Sequence, residues 1–343
     1  MQTKILFFEY YEIGGENLKK IFCFMIAFVM ATFCFAACKK SSVIRLNEVT
    51  HSVFYAPLYL AMNLGFMEEE DIQIELTNGG GSDVSMASLL SNNADIALLG
   101  PETLVYVAKE GSKNHPIIFG QLTKRDGSFI IGRTPIQNFT IAHMANKYII
   151  GGREGGMPAM TLEYALNNAG LTHGVNMTYD TSIQFDMITA AFEGGTGDFC
   201  TMFEPAASNY VAQGKGYYIA SVGELAGEVP FTCFMATANF IKSHPEKIEG
   251  FLRAINKAYT YLMTHTPREV AESLLPSFDG TDVTLLENAV KKYIEIDAWC
   301  STPAMTQSSY NRLIQIITNN GIDVSGVNMN DIVDNSFALN LVA

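Results

Sequence analysis

The sequence predicts an α/β protein of two lobes that face one ligand, and two observations carry that prediction. Apolar runs with strand spacing alternate with helical runs along most of the chain, joined by short loops. Such alternation implies mostly parallel sheets with right-handed crossovers. Glycine-rich turns between a strand and a helix also occur twice, far apart. Thr77–Leu90 reads TNGGGSDVSMASLL and Ile149–Leu166 reads IIGGREGGMPAMTLEYAL. A turn of this kind presents free N–H groups and the positive end of a helix dipole to a crevice. Open α/β sheets bind ligands there, outside the carboxyl ends of their strands. The 343 residues suffice for two such domains with sizeable cores.

The N-terminal region reads as a targeting segment. Lys19 and Lys20 precede the almost wholly apolar run Ile21–Phe33, and the small residues Ala36 and Ala37 follow. The run is short for a membrane span, and this order of features is that of a signal peptide. Cys38 comes next, so Phe35-Ala36-Ala37-Cys38 resembles a bacterial lipobox, with Phe35 where leucine is usual. Residues 1–37 are therefore expected to be removed, Cys38 to be lipidated, and 38–42 to form a tether. Residues 1–17 sit oddly before a signal peptide, which points to a true start near Leu18.

The net charge is −13, and residues 1–37 hold three lysines and three glutamates, so the mature chain keeps that value. Nothing forms a basic stripe, which argues against nucleic acid. Net charge reports solubility more than site chemistry, so it does not argue for a cationic ligand. Beyond Cys38 the cysteines are Cys200, Cys233 and Cys300. Their odd number and wide spacing fit neither a disulfide framework nor a zinc site, and they read as small buried hydrophobes. No metal or cofactor is expected.

Taken in order, Val43–Val49 reads as a first strand. Pro57 opens a helix with Leu58, Leu60, Ala61 and Leu64 inward, and Gly65 closes it. Met67–Asp71 is an acidic, solvated turn. Ile72, Ile74 and Leu76 alternate as a half-buried strand, and Ser82 reads as the N-cap of the helix that follows. Asp95–Leu99 is a strand, and Pro101 starts a helix through Lys109. In Ile117–Arg133 two apolar runs are broken by Lys124, Arg125, Asp126 and Gly127, where the chain leaves the first lobe. A second α/β set runs to Val222, and Pro230–Ala238 is the return crossing. From Pro245 the pattern is helical. The lobes are thus expected at 43–125 plus 236–343, and at 126–235.

Several of these stretches resemble a known family. EVTHSVFYAPLYLAMNLGF, ADIALLGPETLVYV, GQLTKRDGSFIIGR, GGREGGMPAMTLEYAL and GGTGDFCTMFEPAASNYVAQGKGYYIASVGE are similar to solute-binding proteins of ABC importers. The branch is that of nitrate, sulfonate, taurine and thiamine-pyrimidine-precursor receptors. The resemblance covers nearly the whole mature chain. It implies a periplasmic-binding-protein fold of type II, with two lobes, two hinge-crossing strands and a ligand enclosed between them. It also implies a permease and an ATPase as partners, and a monomeric receptor outside the cell membrane.

The candidate ligand contacts each have a bland alternative. Gly155, Gly156 and Met157 lead into Pro158, read as the first helical residue. Met157 at the N-cap offers no acceptor, which leaves the first-turn N–H groups for a ligand or for water. Ser82 can cap its own helix or touch the ligand. Glu102 follows Pro101 in a first helical turn, where a carboxylate is favourable with or without a ligand. Glu204 precedes Pro205 at an expected N-cap, where glutamate is a poor choice, and a broken local rule in a crevice is a functional signal. His51 and Tyr55 follow the first strand, where the resemblance places the ligand.

Glu102 and Glu204 from opposite lobes suit a ligand with amino groups, so a thiamine-precursor-like aminopyrimidine is expected. A sulfonate, nitrate or taurine-type anion on the Gly155–Met157 amides is the alternative. An enzyme building the thiamine pyrimidine is a rival of another class, using a histidine and clustered cysteines. The sequence has no such cysteines, and no HExxH, GxSxG or P-loop motif. No catalytic residue is expected. A lipoprotein sensor of the same ligand is a third possibility.

Overall fold

Leu46 pairs with Ile96, and Cys233 pairs with Leu99; these registers lie at the centre of the first of two sheets. The computed structural model describes residues 42–111 and 115–341. The expected signal segment, Cys38 and nearly all of the tether lie outside the described residues.

The first sheet is built from β1 (Ser42–Glu48), β2 (Ile72–Asn78), β3 (Ile96–Leu99) and β4 (Pro116–Thr123), with helices α1 (Ala56–Asn63), α2 (Ser82–Leu90) and α3 (Glu102–Lys109) between them. The second sheet is built from β5 (Ser128–Gly132), β6 (Tyr148–Ile150), β7 (Thr178–Asp180), β8 (Phe199–Phe203) and β9 (Tyr217–Ser221). Its helices are α4 (Met157–Asn168), α5 (Ile188–Glu193), α6 (Ala206–Ala212) and α7 (Val222–Ala226). The chain then returns to the first sheet as β10 (Thr232–Thr237). The strand orders are β2-β1-β3-β10-β4 and β7-β6-β8-β5-β9.

The sheets are mixed, not mostly parallel as expected. β1 and β3 are parallel, as are β6 with β7 and with β8. β10 is antiparallel to both its neighbours, and so is β5. These two strands are entered directly from the opposite lobe. No helical crossover within their own sheet turns them parallel.

The crossings are Lys124–Gly127 and Gly227–Phe231. Because β10 pairs from Thr232 onward, the return is complete four residues before the boundary expected at 235/236. The apolar run TCFMA is a central strand of the first sheet. Gly127 is required at the outward crossing, since a Cβ there would lie 2.5 Å from the Phe54 ring. Phe54 itself packs against Phe203, Phe231 and Tyr293, an aromatic knot joining both sheets at the hinge.

The C-terminal helices cover the first sheet. Besides α8 (Ala238–Ser243), they include α9 (Pro245–Thr264), which sets Phe251 edge-on to Phe119 and Phe234. Then come α10 (Pro267–Leu274), α11 (Val283–Glu295) and α12 (Gln307–Asn319). α10 opens on a capping box formed by Thr266 and Glu269. Cys200 and Cys233 are buried free thiols, while Cys300 is only half-buried. Among the described residues no helix is long and apolar enough to cross a membrane.

Candidate ligand-binding cleft

A cavity of about 800 Å³ lies between the two sheets. The first lobe supplies Tyr55, Gly80–Asp83, Gly100, Glu102, Thr103 and Tyr106, and the second supplies Arg153–Pro158, Gln184–Asp186 and Phe203. Phe231 and Thr232, at the return crossing, close the back.

Three helices point their N-termini at this cavity, and none has a side-chain cap. The N-cap residues are Gly81 for α2, Pro101 for α3 and Gly156 for α4. Two expectations shift by one residue. Ser82 is the first helical residue and not the cap; its hydroxyl accepts from the Gly100 N–H at 3.4 Å. Met157 is likewise the first residue of α4, with Pro158 second. In both turns a glycine takes the cap position; a Cβ at residue 81 would lie 2.8 Å from the Asp83 carboxylate, and one at residue 156 would lie 3.3 Å from the Arg153 carbonyl oxygen.

Glu102 is the best-defined polar group of the cavity. It is 1 % exposed, and its Oε2 has no hydrogen-bond partner among the described residues. Gly100 makes its position possible, since a Cβ at residue 100 would lie 2.1 Å from that oxygen. Burial pushes the Glu102 pKa up to about 8, and the N–H groups of Glu102 itself and of Met157 pull against that shift. Met157 belongs to the opposite lobe, so the carboxyl group faces the start of α4 across the cleft. Tyr55, also buried, has its phenol pKa pushed far up by burial, with the Glu48 and Glu102 charges adding to the shift.

Two side chains bridge the cleft beside Glu102. The Tyr106 hydroxyl donates to the Gly155 carbonyl at 3.0 Å. The Arg153 guanidinium donates to Asp83 at 2.8 Å, in an ion pair whose members are both about half exposed. Tyr106 lies one helical turn after Glu102, which is a signal the sequence does carry. The aromatic wall of Phe185, Phe203 and Phe231 carries no comparable local signal.

Two expected contacts lie elsewhere. His51 does not line the cavity: its Nδ1 is 2.8 Å from Glu48 Oε1 and its Nε2 is 2.6 Å from the Ser277 carbonyl. Glu204 does not line it either. Its carboxylate accepts from the Tyr218 hydroxyl and, at 3.0 Å, from the Ser208 N–H. Its backbone is gripped from the first lobe, with its N–H donating to Tyr293 at 3.0 Å and its carbonyl accepting from Ser52 at 2.8 Å. The N-cap of α6 is Pro205, so Glu204 stands one residue outside and turns back to satisfy a first-turn N–H.

The profile of the NMT1-like family matches residues 49–275. The chain belongs to the NMT1-like family. A relative that is by name a binding protein, YtlA of Bacillus subtilis (strain 168), is 35 % identical over 313 residues, 90 % of this chain and 94 % of the relative. Solved structures show the same fold at low identity. One is the ligand-binding component of an ABC-type import system from Staphylococcus aureus with zinc bound (TM-score 0.70, 13 % identity, 87 % of this chain and 98 % of that one). Another is the alkanesulfonate-binding protein SsuA from Xanthomonas axonopodis pv. citri bound to MOPS (TM-score 0.68, 15 % identity, 88 % and 100 %). This NMT1-like chain therefore has the two-lobed periplasmic-binding-protein fold of type II, and its cavity lies where the two lobes meet.

Proposed function

We propose that the chain is the solute-binding receptor of an ABC importer, anchored by a lipid on Cys38 outside the cell membrane. In this reading it is a monomer that closes around a small amino-bearing heterocycle of the aminopyrimidine type and hands it to a permease and its ATPase. The energy comes from the ATPase. The receptor needs only a difference in affinity between open and closed states.

The observation that carries the reading is the buried Glu102 oxygen, without a hydrogen-bond partner among the described residues, facing an inter-lobe cavity. A buried acceptor without a partner is an unfavourable arrangement that a ligand amino group would relieve. The aromatic residues lining the same cavity suit a flat ring. Similarity to YtlA and to the Staphylococcus aureus import component supports the receptor class.

Calorimetry with 4-amino-5-hydroxymethyl-2-methylpyrimidine and with ethanesulfonate tests the ligand class. Binding of the pyrimidine and not the sulfonate is expected. The reverse result would favour a second reading, an anion on the uncapped N-termini of α2 and α4. Metabolic labelling with a palmitate analogue tests the anchor: it should mark the wild type and not Cys38→Ser.

A further inference from the structure

The charge balance of the cleft narrows the ligand further, on the reading that the cleft is a solute site. Four carboxyl side chains line it, Asp83, Glu102, Glu154 and Asp186, against the single guanidinium of Arg153. That guanidinium is already paired with Asp83. An acidic rim alone is an ordinary solvated surface. Glu102 is different: it is 1 % exposed, aimed into the cavity, and has an oxygen with no partner among the described residues. Aromatic rings line the same space, with Phe185 5.6 Å and Phe231 6.2 Å from the Phe203 centroid. Ring faces attract cations, most strongly where water is excluded. A bare anion would meet four carboxyl groups and one occupied guanidinium.

We propose that the solute is an organic cation, whose ammonium or protonated ring nitrogen sits against Glu102 while its apolar body packs on Phe185, Phe203 and Phe231. Glu102 is then the residue that determines specificity for charge.

The empty site holds a proton that such a ligand must displace. Burial pushes the Glu102 pKa up to about 8, so the empty carboxyl group is mostly protonated at neutral pH. On docking of a cation its O–H bond breaks, the electron pair stays on the carboxylate, and the proton leaves to solvent. Affinity for a cation therefore falls about tenfold per pH unit below about 8 and levels off above it. The neighbours do not blur this window. Tyr55, Tyr106 and Cys233 all have pKa values pushed up by burial, with the Glu102 charge adding to each, and remain neutral through it. From the opposite lobe Glu102 meets the Met157 N–H. Farther out, partial burial is the largest influence on Asp83, but the hydrogen bond and charge of Arg153 together with the N–H groups of Asp83 and Val84 outweigh it and leave its pKa lowered. Arg153, Glu154 and Asp186 complete the lining charges.

Two pyrimidines that differ by one positive charge test the proposal: 4-amino-5-aminomethyl-2-methylpyrimidine and its neutral 5-hydroxymethyl counterpart. At pH 8 the aminomethyl compound should bind at least about tenfold tighter. That advantage should shrink about tenfold per unit from pH 7.5 to 5.5. Glu102→Gln should abolish the advantage, and a far-ultraviolet circular dichroism spectrum and melting temperature like those of the wild type show that the variant is folded. Equal or weaker binding of the aminomethyl compound, or an advantage that survives in Glu102→Gln, overturns the cation proposal and leaves the aminopyrimidine receptor standing. If neither pyrimidine binds, the aminopyrimidine reading falls. The cation proposal is then decided by benzylammonium against benzyl alcohol, and failure of benzylammonium to bind more tightly overturns it as well.

Discussion

Tyr106 and Gly155 join the two lobes through one hydrogen bond, from a phenol on α3 to a carbonyl in the glycine turn before α4, at 3.0 Å. Because Tyr106 follows Glu102 by one helical turn, the same helix face presents a carboxyl group to the start of α4 and a phenol to the turn that precedes it. The contacts that Glu102 and Tyr106 make with the second lobe thus come from one face of one helix.

Tyr106→Phe keeps the ring and removes the bond. A net hydrogen bond contributes about 0.5–1.5 kcal/mol, which biases an open–closed equilibrium by roughly twofold to tenfold. Small-angle scattering without added solute should give a larger radius of gyration for the variant than for the wild type. Identical values would mean that this bond does not set the closure.

Gly100→Ala isolates the space that Glu102 occupies. A Cβ there would lie 2.1 Å from Oε2 and 2.6 Å from Oε1, so the carboxyl group must swing away. Gly100 is not in the left-handed region, so the substitution adds no backbone strain there. The expected result is a melting temperature near that of the wild type with affinity for the pyrimidine probes reduced by about tenfold or more. A large loss of stability with affinity retained would contradict this account.

His51 gives the fold a pH dependence of known sign. Its hydrogen bond to Glu48 raises its pKa above the ordinary value of 6.5, against the effect of burial, and the Ser277 carbonyl helps. A folded-state pKa above the unfolded one means that stabilisation is complete below about 6.5 and is lost as pH rises through the folded value. Urea denaturation should show His51→Gln destabilised relative to wild type more at pH 6 than at pH 9. A gap that widens with pH would reverse the assignment.

What was legible in the sequence follows from the range of the forces involved. Helix α6 spans Ala206–Ala212, bracketed by Pro205 and Gly214, both signals that the sequence carries locally. At the outward crossing three charged residues and a glycine, Lys124–Gly127, interrupt two apolar runs. Strand direction was not legible, since a buried apolar run reads the same whichever way it is threaded, and β5 and β10 run antiparallel to their neighbours. The site divides along the same line. Tyr55, Ser82, Glu102 and Gly155–Met157 lie at strand ends and helix starts, and the fold brings them to one cavity. His51 and Glu204 occupy similar local positions, but Ser277, Tyr218 and Tyr293 take their polar groups. Those partners come from other elements of the fold, and no rule of local spacing reveals them.

Glu204 is the sharpest case, because a broken capping rule made it a ligand candidate and the structure gives it internal partners instead. Burial raises its pKa, opposed by hydrogen bonds from Tyr218 and Ser208. In Glu204→Gln one carboxylate oxygen becomes an NH2 group that cannot accept. Either the Tyr218 hydroxyl or the Ser208 N–H then loses its acceptor in a buried setting. A cost of about 1–3 kcal/mol in unfolding free energy follows for the group left unsatisfied. Affinity for the pyrimidine probes should stay within about threefold of wild type, because the side chain does not line the cavity and less than 1 kcal/mol separates such affinities. Paired urea denaturation and calorimetry read both quantities on one preparation. Unchanged stability with affinity weakened about tenfold or more would place Glu204 on the ligand after all.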